Sequence, residues 1–362
     1  MKRKKKPNYK LRRLIARIII IILILIPIIY FNRVKILHAP LYIKYHKNTD
    51  ILKSLYKADY DNSEVNELMT SLIKKKEIND YTDEYILSLK DKGYNKNTIS
   101  YVLLNFKKGD IKSLINQKYN KNIEEMITLS YFDYDLYDRY LNSIKENEDV
   151  SRTVLKVDLD MDKSSYEDTT EETDPNSLTA LVNKHRYINE DYEPDDLVDM
   201  SDDYANNHYR QMQMRSEAYE MFKKMVDAAK EEDIKFYAES GYRTFKFQRQ
   251  LYNEYVNVNG YSKANLYAAR PGFSEHQLGT AVDVANIYTI DKDDMEYKWI
   301  QRNGYKYGFV FRYTEEWQDL TGFGEETWHI RYVGVDVATK MHKENISFEE
   351  YWVEYVNKKE AK

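Results

Sequence analysis

Hydrophobic positions along the chain follow three different patterns. From Leu14 to Phe31 the sequence LIARIIIIILILIPIIYF is apolar except for Arg17, and 18 helical residues at roughly 1.5 Å each match the thickness of a bilayer core. The run is long for the apolar part of a cleaved leader, and no small-x-small cleavage site follows it. Residues 14–31 are therefore expected to form a transmembrane signal anchor. Residues 45–150 break into short amphipathic segments. Asp83–Lys92 stops at Gly93, Asn97–Lys107 places Ile99, Val102, Leu103 and Phe106 at helical spacing before Gly109, and Asp110–Asn116 follows. This pattern predicts a small helical spacer or docking region.

Val154–Leu159 has the composition of a strand, and residues 158–176 then read as an acidic, Ser/Thr-rich linker. Beyond it the pattern becomes that of a packed domain, residues 177–355. Ala218, Met221, Phe222, Met225 and Ala229 recur at helical spacing within Ser216–Lys230 and predict a helix with a core-facing stripe. Four strand-like runs follow, Phe236–Tyr242, Thr280–Ala285, Phe309–Tyr313 and Trp328–Val333. The expected fold class is α+β: a small, mainly antiparallel sheet with flanking helices, preceded by the transmembrane helix and the helical region.

Charge and composition narrow the function. Residues 1–17 carry nine Lys/Arg and no acid, against Arg33, Lys35 and Lys44 in the stretch just after the apolar run. The asymmetry predicts that residues 1–13 are a basic cytoplasmic tail and that the rest lies outside the cell membrane. The remainder is acidic, and an acidic surface is a poor match for nucleic acid. The 362 residues include no Cys, which excludes disulfides, thiolate catalysis and Cys-ligated metals. With 11 Gly and no phosphate-cradling glycine motif, nucleotide chemistry is not expected either. The triplet Asp158, Asp160, Asp162 resembles the start of a calcium loop, but Lys163 stands where glycine is needed and Thr169 where the bidentate acid is needed. It reads as solvated charge. Protein partners are left open by the pattern.

Two of the seven histidines stand beside strand-like runs with acids nearby: His276 with Asp283 in SEHQLGTAVDV, and His329 with Glu326 in EETWHIRYVG. Two neutral imidazoles and one carboxylate make a three-ligand set that leaves one position of a tetrahedral zinc open for water, as a hydrolase requires. Glu326 is placed to act as general base without ligating, and Arg243 in SGYRTFKFQ offers positive charge for an oxyanion. Taken alone, each residue also has a bland explanation: a structural histidine beside a strand, a loop carboxylate next to the equally acidic Glu325, a surface ion pair for Arg243.

In order along the chain, SGYRTFKFQRQLY, ARPGFSEHQLGTAVDV and ETWHIRYVG resemble the three signature blocks of VanY-type D-alanyl-D-alanine carboxypeptidases, within the lysostaphin/D-Ala-D-Ala metallopeptidase superfamily. LVNKHRYINEDYEPDDLV, from Leu181 to Val198, resembles the opening of that catalytic domain. The resemblance covers about residues 177–355. It implies Zn²⁺ held by His276, Asp283 and His329, Glu326 as base, Arg243 as the group polarising the scissile carbonyl, and Gln248 and Ser274 near substrate. Thr327 departs from the family, which commonly has proline there. The implied reaction is removal of the terminal D-Ala from peptidoglycan stem peptides ending in D-Ala-D-Ala. A dipeptidase or endopeptidase of the same fold, or a non-catalytic wall-binding module, would share the blocks. A serine enzyme has only the chance SxxK spacings at Ser54/Lys57 and Ser71/Lys74 in its favour.

Overall fold

The computed structural model describes residues 39–145 and 148–357. The chain divides into two compact units, one up to Thr128 and the other from Leu129. The acidic stretch 158–176 thus falls inside the second unit.

The first unit is helical in its described part. Its helices end where the sequence supplies caps. Asp61 accepts hydrogen bonds from Ser63 and Glu64 backbone N–H groups, and Glu64 answers in a capping box at the start of Asn62–Lys75. Gly93, in the left-handed region with φ 110°, closes Thr82–Lys92. Val65, Leu68, Met69 and Leu72 of Asn62–Lys75 are buried at the spacing of one helix face.

The second unit is built on a four-stranded antiparallel sheet. Eight strands occur in the described residues: β1 (Thr170–Glu171), β2 (Arg186–Tyr187), β3 (Leu197–Asp199), β4 (Gln213–Arg215), β5 (Tyr237–Ser240), β6 (Ala281–Ala285), β7 (Phe309–Phe311) and β8 (His329–Tyr332). The sheet order is β5-β6-β8-β7, while β1/β2 and β3/β4 form separate pairs. Helix Ser216–Glu231 lays Ala218, Phe222, Met225 and Ala229 against Val282, Val284, Ile330 and Tyr332 of the sheet. Each fully buried Phe or Met contributes roughly 1.5–3 kcal/mol relative to exposure. Side chains alternate across a strand, so with Val282, Val284, Ile330 and Tyr332 in this core, Asp283, His329 and Arg331 lie on the opposite face. That alternation puts polar chemistry on one side of the sheet and its support on the other.

Three expectations are corrected. Residues 14–31 lie outside the described residues, and no described helix is long and apolar enough to cross a membrane. Even the longest, Phe245–Tyr267, carries Lys246, Arg249, Glu254 and Lys263 and is broken at Gly260. The transmembrane element of the expected fold class, and with it the single-pass placement with a cytoplasmic N-terminus, is therefore withdrawn. The Val154–Leu159 segment is not a strand but part of the helix Val150–Asp158. Asp149 caps that helix, and Val150, Val154 and Val157 share its buried side; there the helical period of the apolar residues outweighs their β-branched preference. The Asp158/Asp160/Asp162 triplet is not simply solvated: Arg139 binds Asp160 and Asp162, Lys163 binds Asp160, and Asp158 accepts the Tyr140 hydroxyl at 2.6 Å.

Candidate active site

Strand register assembles the site. Asp283 on β6 is the direct cross-strand partner of His329 on β8 and is also paired with Ser240 on β5. His276 comes from the single turn Glu275–Leu278, which Gly279 closes at φ 69°. The ring of His276 is fixed by its Nδ1–H, which donates to the Gly241 carbonyl at 2.8 Å. Because a carbonyl only accepts, Nε2 keeps its lone pair, and it points at Asp283 Oδ1, 3.3 Å away. Gly241 has to be glycine: a Cβ there would meet the Gln213 carbonyl oxygen at 2.5 Å.

The same Asp283 Oδ1 lies 3.1 Å from His329 Nδ1. Ligand atoms of His276, Asp283 and His329 all fall within 4.8 Å of one another. A tetrahedral ion with bonds of about 2.0–2.1 Å has ligand edges of roughly 3.3 Å, and the 3.3 and 3.1 Å separations from Asp283 Oδ1 to the two imidazoles match that edge. The other carboxylate oxygen, Asp283 Oδ2, is held by Arg243, whose Nε also donates to Ser240 Oγ at 2.9 Å. Asp283 thus splits its two oxygens between the imidazoles and the guanidinium.

Behind His329 is a buried charge cluster. Its Nε2–H donates to Glu275 Oε2 at 3.0 Å, leaving Nδ1 for the metal side. Glu275 is further held by Arg331 and, at 2.7 Å, by Arg312, which in turn binds Glu349 at 2.6 Å. These side chains are fully buried. Burial alone would push Glu275 toward the neutral acid, but Arg312 and Arg331 outweigh it and hold the carboxyl well below its usual range. Burial and the Arg243 charge press His276 down to about 4, so its ring is neutral and free to ligate. For His329 burial also favours the neutral ring, yet its bonds to Asp283 and Glu275 prevail and raise it to about 9, so without a metal Nδ1 carries a proton directed at Asp283, which a zinc ion would have to displace in order to bind there.

Glu326 Oε2 is 3.8 Å from His329 Nδ1. Burial raises Glu326 to about 7, against the pull of His329, which suits a carboxylate that must both take and give a proton. Glu325 faces elsewhere, toward Lys292 at 2.7 Å and the Glu315 backbone N–H. Thr327, where the family commonly has proline, donates its hydroxyl to the Ile290 carbonyl at 2.5 Å and so ties the loop that carries Glu326.

Gln248 and Ser274 are both buried. Gln248 Nε2 donates to the Ala269 carbonyl at 2.8 Å, while its Oε1 has no partner among the described residues. Ser274 precedes the His276 turn without spending its hydroxyl on a cap. Residue patterns single out neither Glu275 nor its partners Arg312, Arg331 and Glu349. The only available signal was the position of Glu275 between Ser274 and His276; the arginines come from β8 and the segment after β7, which are distant in sequence.

Residues 211–335 match the family model for VanY, D-alanyl-D-alanine carboxypeptidase. The chain is 36% identical over 185 residues to YodJ of Bacillus subtilis, an alignment covering 49% of this chain and 68% of YodJ. It is 31% identical over 180 residues to VanXYC of Enterococcus gallinarum, a bifunctional D-Ala-D-Ala dipeptidase and D-Ala-D-Ala carboxypeptidase, covering 47% of this chain and 91% of that protein. Among solved structures, the vancomycin-resistance D,D-pentapeptidase VanY from a VanB-type cassette, a variant in complex with Zn(II), is 31% identical. That alignment covers 48% of this chain and 98% of the other, with a TM-score of 0.43.

Proposed function

The chain belongs to the VanY D-alanyl-D-alanine carboxypeptidase family, and from that premise we propose that it is a zinc-dependent hydrolase removing the terminal D-Ala of peptidoglycan stem peptides. The observation that carries the reading is the position of Asp283 Oδ1 between His276 Nε2 and His329 Nδ1, with the half-buried Glu326 beside them.

His276, Asp283 and His329 would hold the ion. A zinc ion in such a site supplies Lewis acidity to a carbonyl and lowers the pKa of water. Glu326 takes a proton from the attacking water and passes it to the leaving amine, a two-way role matched to a carboxyl near 7. Arg243 keeps Asp283 oriented and leaves positive charge close to where the carbonyl oxygen becomes negative. The unpartnered Gln248 Oε1 is available to accept an N–H of the peptide, and the Ser274 hydroxyl to donate to it.

The test is release of D-Ala from an acyl-D-Ala-D-Ala peptide by the purified chain. Activity should vanish with a chelator, return with Zn²⁺ and persist in penicillin, because no activated serine takes part. Activity that survives exhaustive chelation and is lost to penicillin would refute the reading.

A further inference from the structure

Arg210 stands outside every motif block. The loop that carries it, between β3 and β4, is tied to edge strand β5: Ala205 bridges Ala238, and the Asn206 N–H donates to the Ala238 carbonyl at 2.9 Å. Asn207 braces the loop from inside, its Nδ2 donating to the Met200 carbonyl at 2.8 Å and its Oδ1 accepting the Met212 N–H at 2.9 Å. A loop fastened on both sides of residue 210 fixes where that side chain goes. The guanidinium lies over the Phe247 ring, 4.2 Å from its centroid, and Nη2 donates to Ser240 Oγ at 3.4 Å.

That hydroxyl is the one that accepts from Arg243 Nε. Ser240 therefore joins two guanidinium groups, and their charges are balanced unequally. Arg243 has a carboxylate partner in Asp283. Arg210 is half-buried and, among the described residues, no carboxylate forms an ion pair with it. Burial and the neighbouring Arg243 charge lower its pKa, and the opposing pull of Asp283 is smaller than either. A partly desolvated cation beside a second cation is unfavourable unless an anion arrives from outside.

We propose that Arg210 is a specificity-determining residue that receives the C-terminal carboxylate of the peptide substrate, so that the site cuts at a chain end and not within a chain. The inference rests on the hydrolase reading above. A terminal carboxylate lies one residue beyond the scissile carbonyl, about 3.8 Å in Cα spacing. Arg210 is separated from metal-side Asp283 by one guanidinium and one hydroxyl. An arginine fork matches a carboxylate with two parallel hydrogen bonds, and Arg243, committed to Asp283, is not free to provide them.

The experiment uses the full chain loaded with Zn²⁺ and two peptides, an acyl-D-Ala-D-Ala with a free carboxylate and its C-terminal amide. The wild-type protein should prefer the acid. Arg210→Ala should lower kcat/KM on the acid roughly 10–100-fold, the worth of a hydrogen bond to a charged group, leave the amide unchanged, and be partly rescued by Arg210→Lys. Equal losses on both peptides, or an acid/amide ratio unaltered by Arg210→Ala, would overturn the proposal. Calorimetric binding of both peptides to Glu326→Gln protein, with and without Arg210→Ala, decides the matter without turnover. If the wild-type chain hydrolyses neither peptide, the hydrolase reading fails. The binding comparison then still speaks for Arg210 if the acid preference disappears with it, and against Arg210 if there is no such preference.

Discussion

Asp283 lies directly opposite His329 across β6 and β8, and its Oδ1 is 3.1 Å from the His329 Nδ1. The backbone ladder sets this geometry before any metal is considered, because a one-residue slip in register would turn Asp283 into the hydrophobic core. Asp283→Asn preserves shape but removes the ligating charge and the anion that Arg243 holds. Zinc affinity should fall by at least the 10–100-fold that outer partners alone are worth, read as metal retained after dialysis against a weak chelator. Full retention would take Asp283 out of the ligand set.

Glu326 and Glu325 are neighbours with different partners, one turned toward His329 and one paired with Lys292. Glu326→Gln should keep zinc and fold while turnover drops about 10²–10⁴-fold, and Glu325→Gln should leave turnover within about twofold, since it breaks only a partly exposed ion pair. Steady-state kinetics on both variants check the assignment; reversed effects would shift the base by one residue.

Glu275 is the shared anion of Arg312, Arg331 and His329, wholly buried. Glu275→Gln leaves two arginines in the interior, Arg312 still paired with Glu349 and Arg331 with backbone carbonyls alone. Breaking a buried pair from one side costs about 3–5 kcal/mol, so the urea midpoint should drop accordingly. Zinc affinity should also weaken, because the amide has a single acceptor oxygen for which the two arginines compete with the His329 N–H that it orients.

Lys184 is 6% exposed, with its ammonium 4.7 Å from the Phe323 ring centroid. Burial, then the charge of Arg270, pushes it down from 10.5 to about 8. The folded-state pKa is therefore below the unfolded one, and between pH 8 and 10.5 the unfolded chain binds more protons. Stability conferred by this group must rise with pH across that window. Relative to Lys184→Met, the wild-type chain should gain stability from pH 8 to 10.5 in paired denaturation curves. Parallel curves would show that the lysine is not desolvated.

Much of this site could be read from the sequence because its ligands sit in short blocks whose local pattern is unusual. The alternation Val-Asp-Val at 282–284 and His-Ile-Arg-Tyr at 329–332 places one polar residue between core residues, which is how an inward-facing ligand on a two-sided strand must look. The four strand-like runs overlap β5 to β8 for the same reason. Residues whose role depends on distant segments were not legible. Glu275 looks like any acid beside a histidine until Arg312 and Arg331 close around it, and Arg210 gains meaning only through the loop that brings it to Ser240. Val154–Leu159 is strand-like in composition, and only the helical spacing of Val150, Val154 and Val157 along one buried side makes it a helix.

The central claim is a single bond broken at the end of a stem peptide, and mass spectrometry of a muramyl pentapeptide ending in D-Ala-D-Ala measures it most directly. Incubation with the zinc-loaded chain should remove one alanine and stop there, with no loss in the presence of chelator or with Glu326→Gln. An unchanged pentapeptide, or release of D-Ala-D-Ala as a unit, would contradict the account.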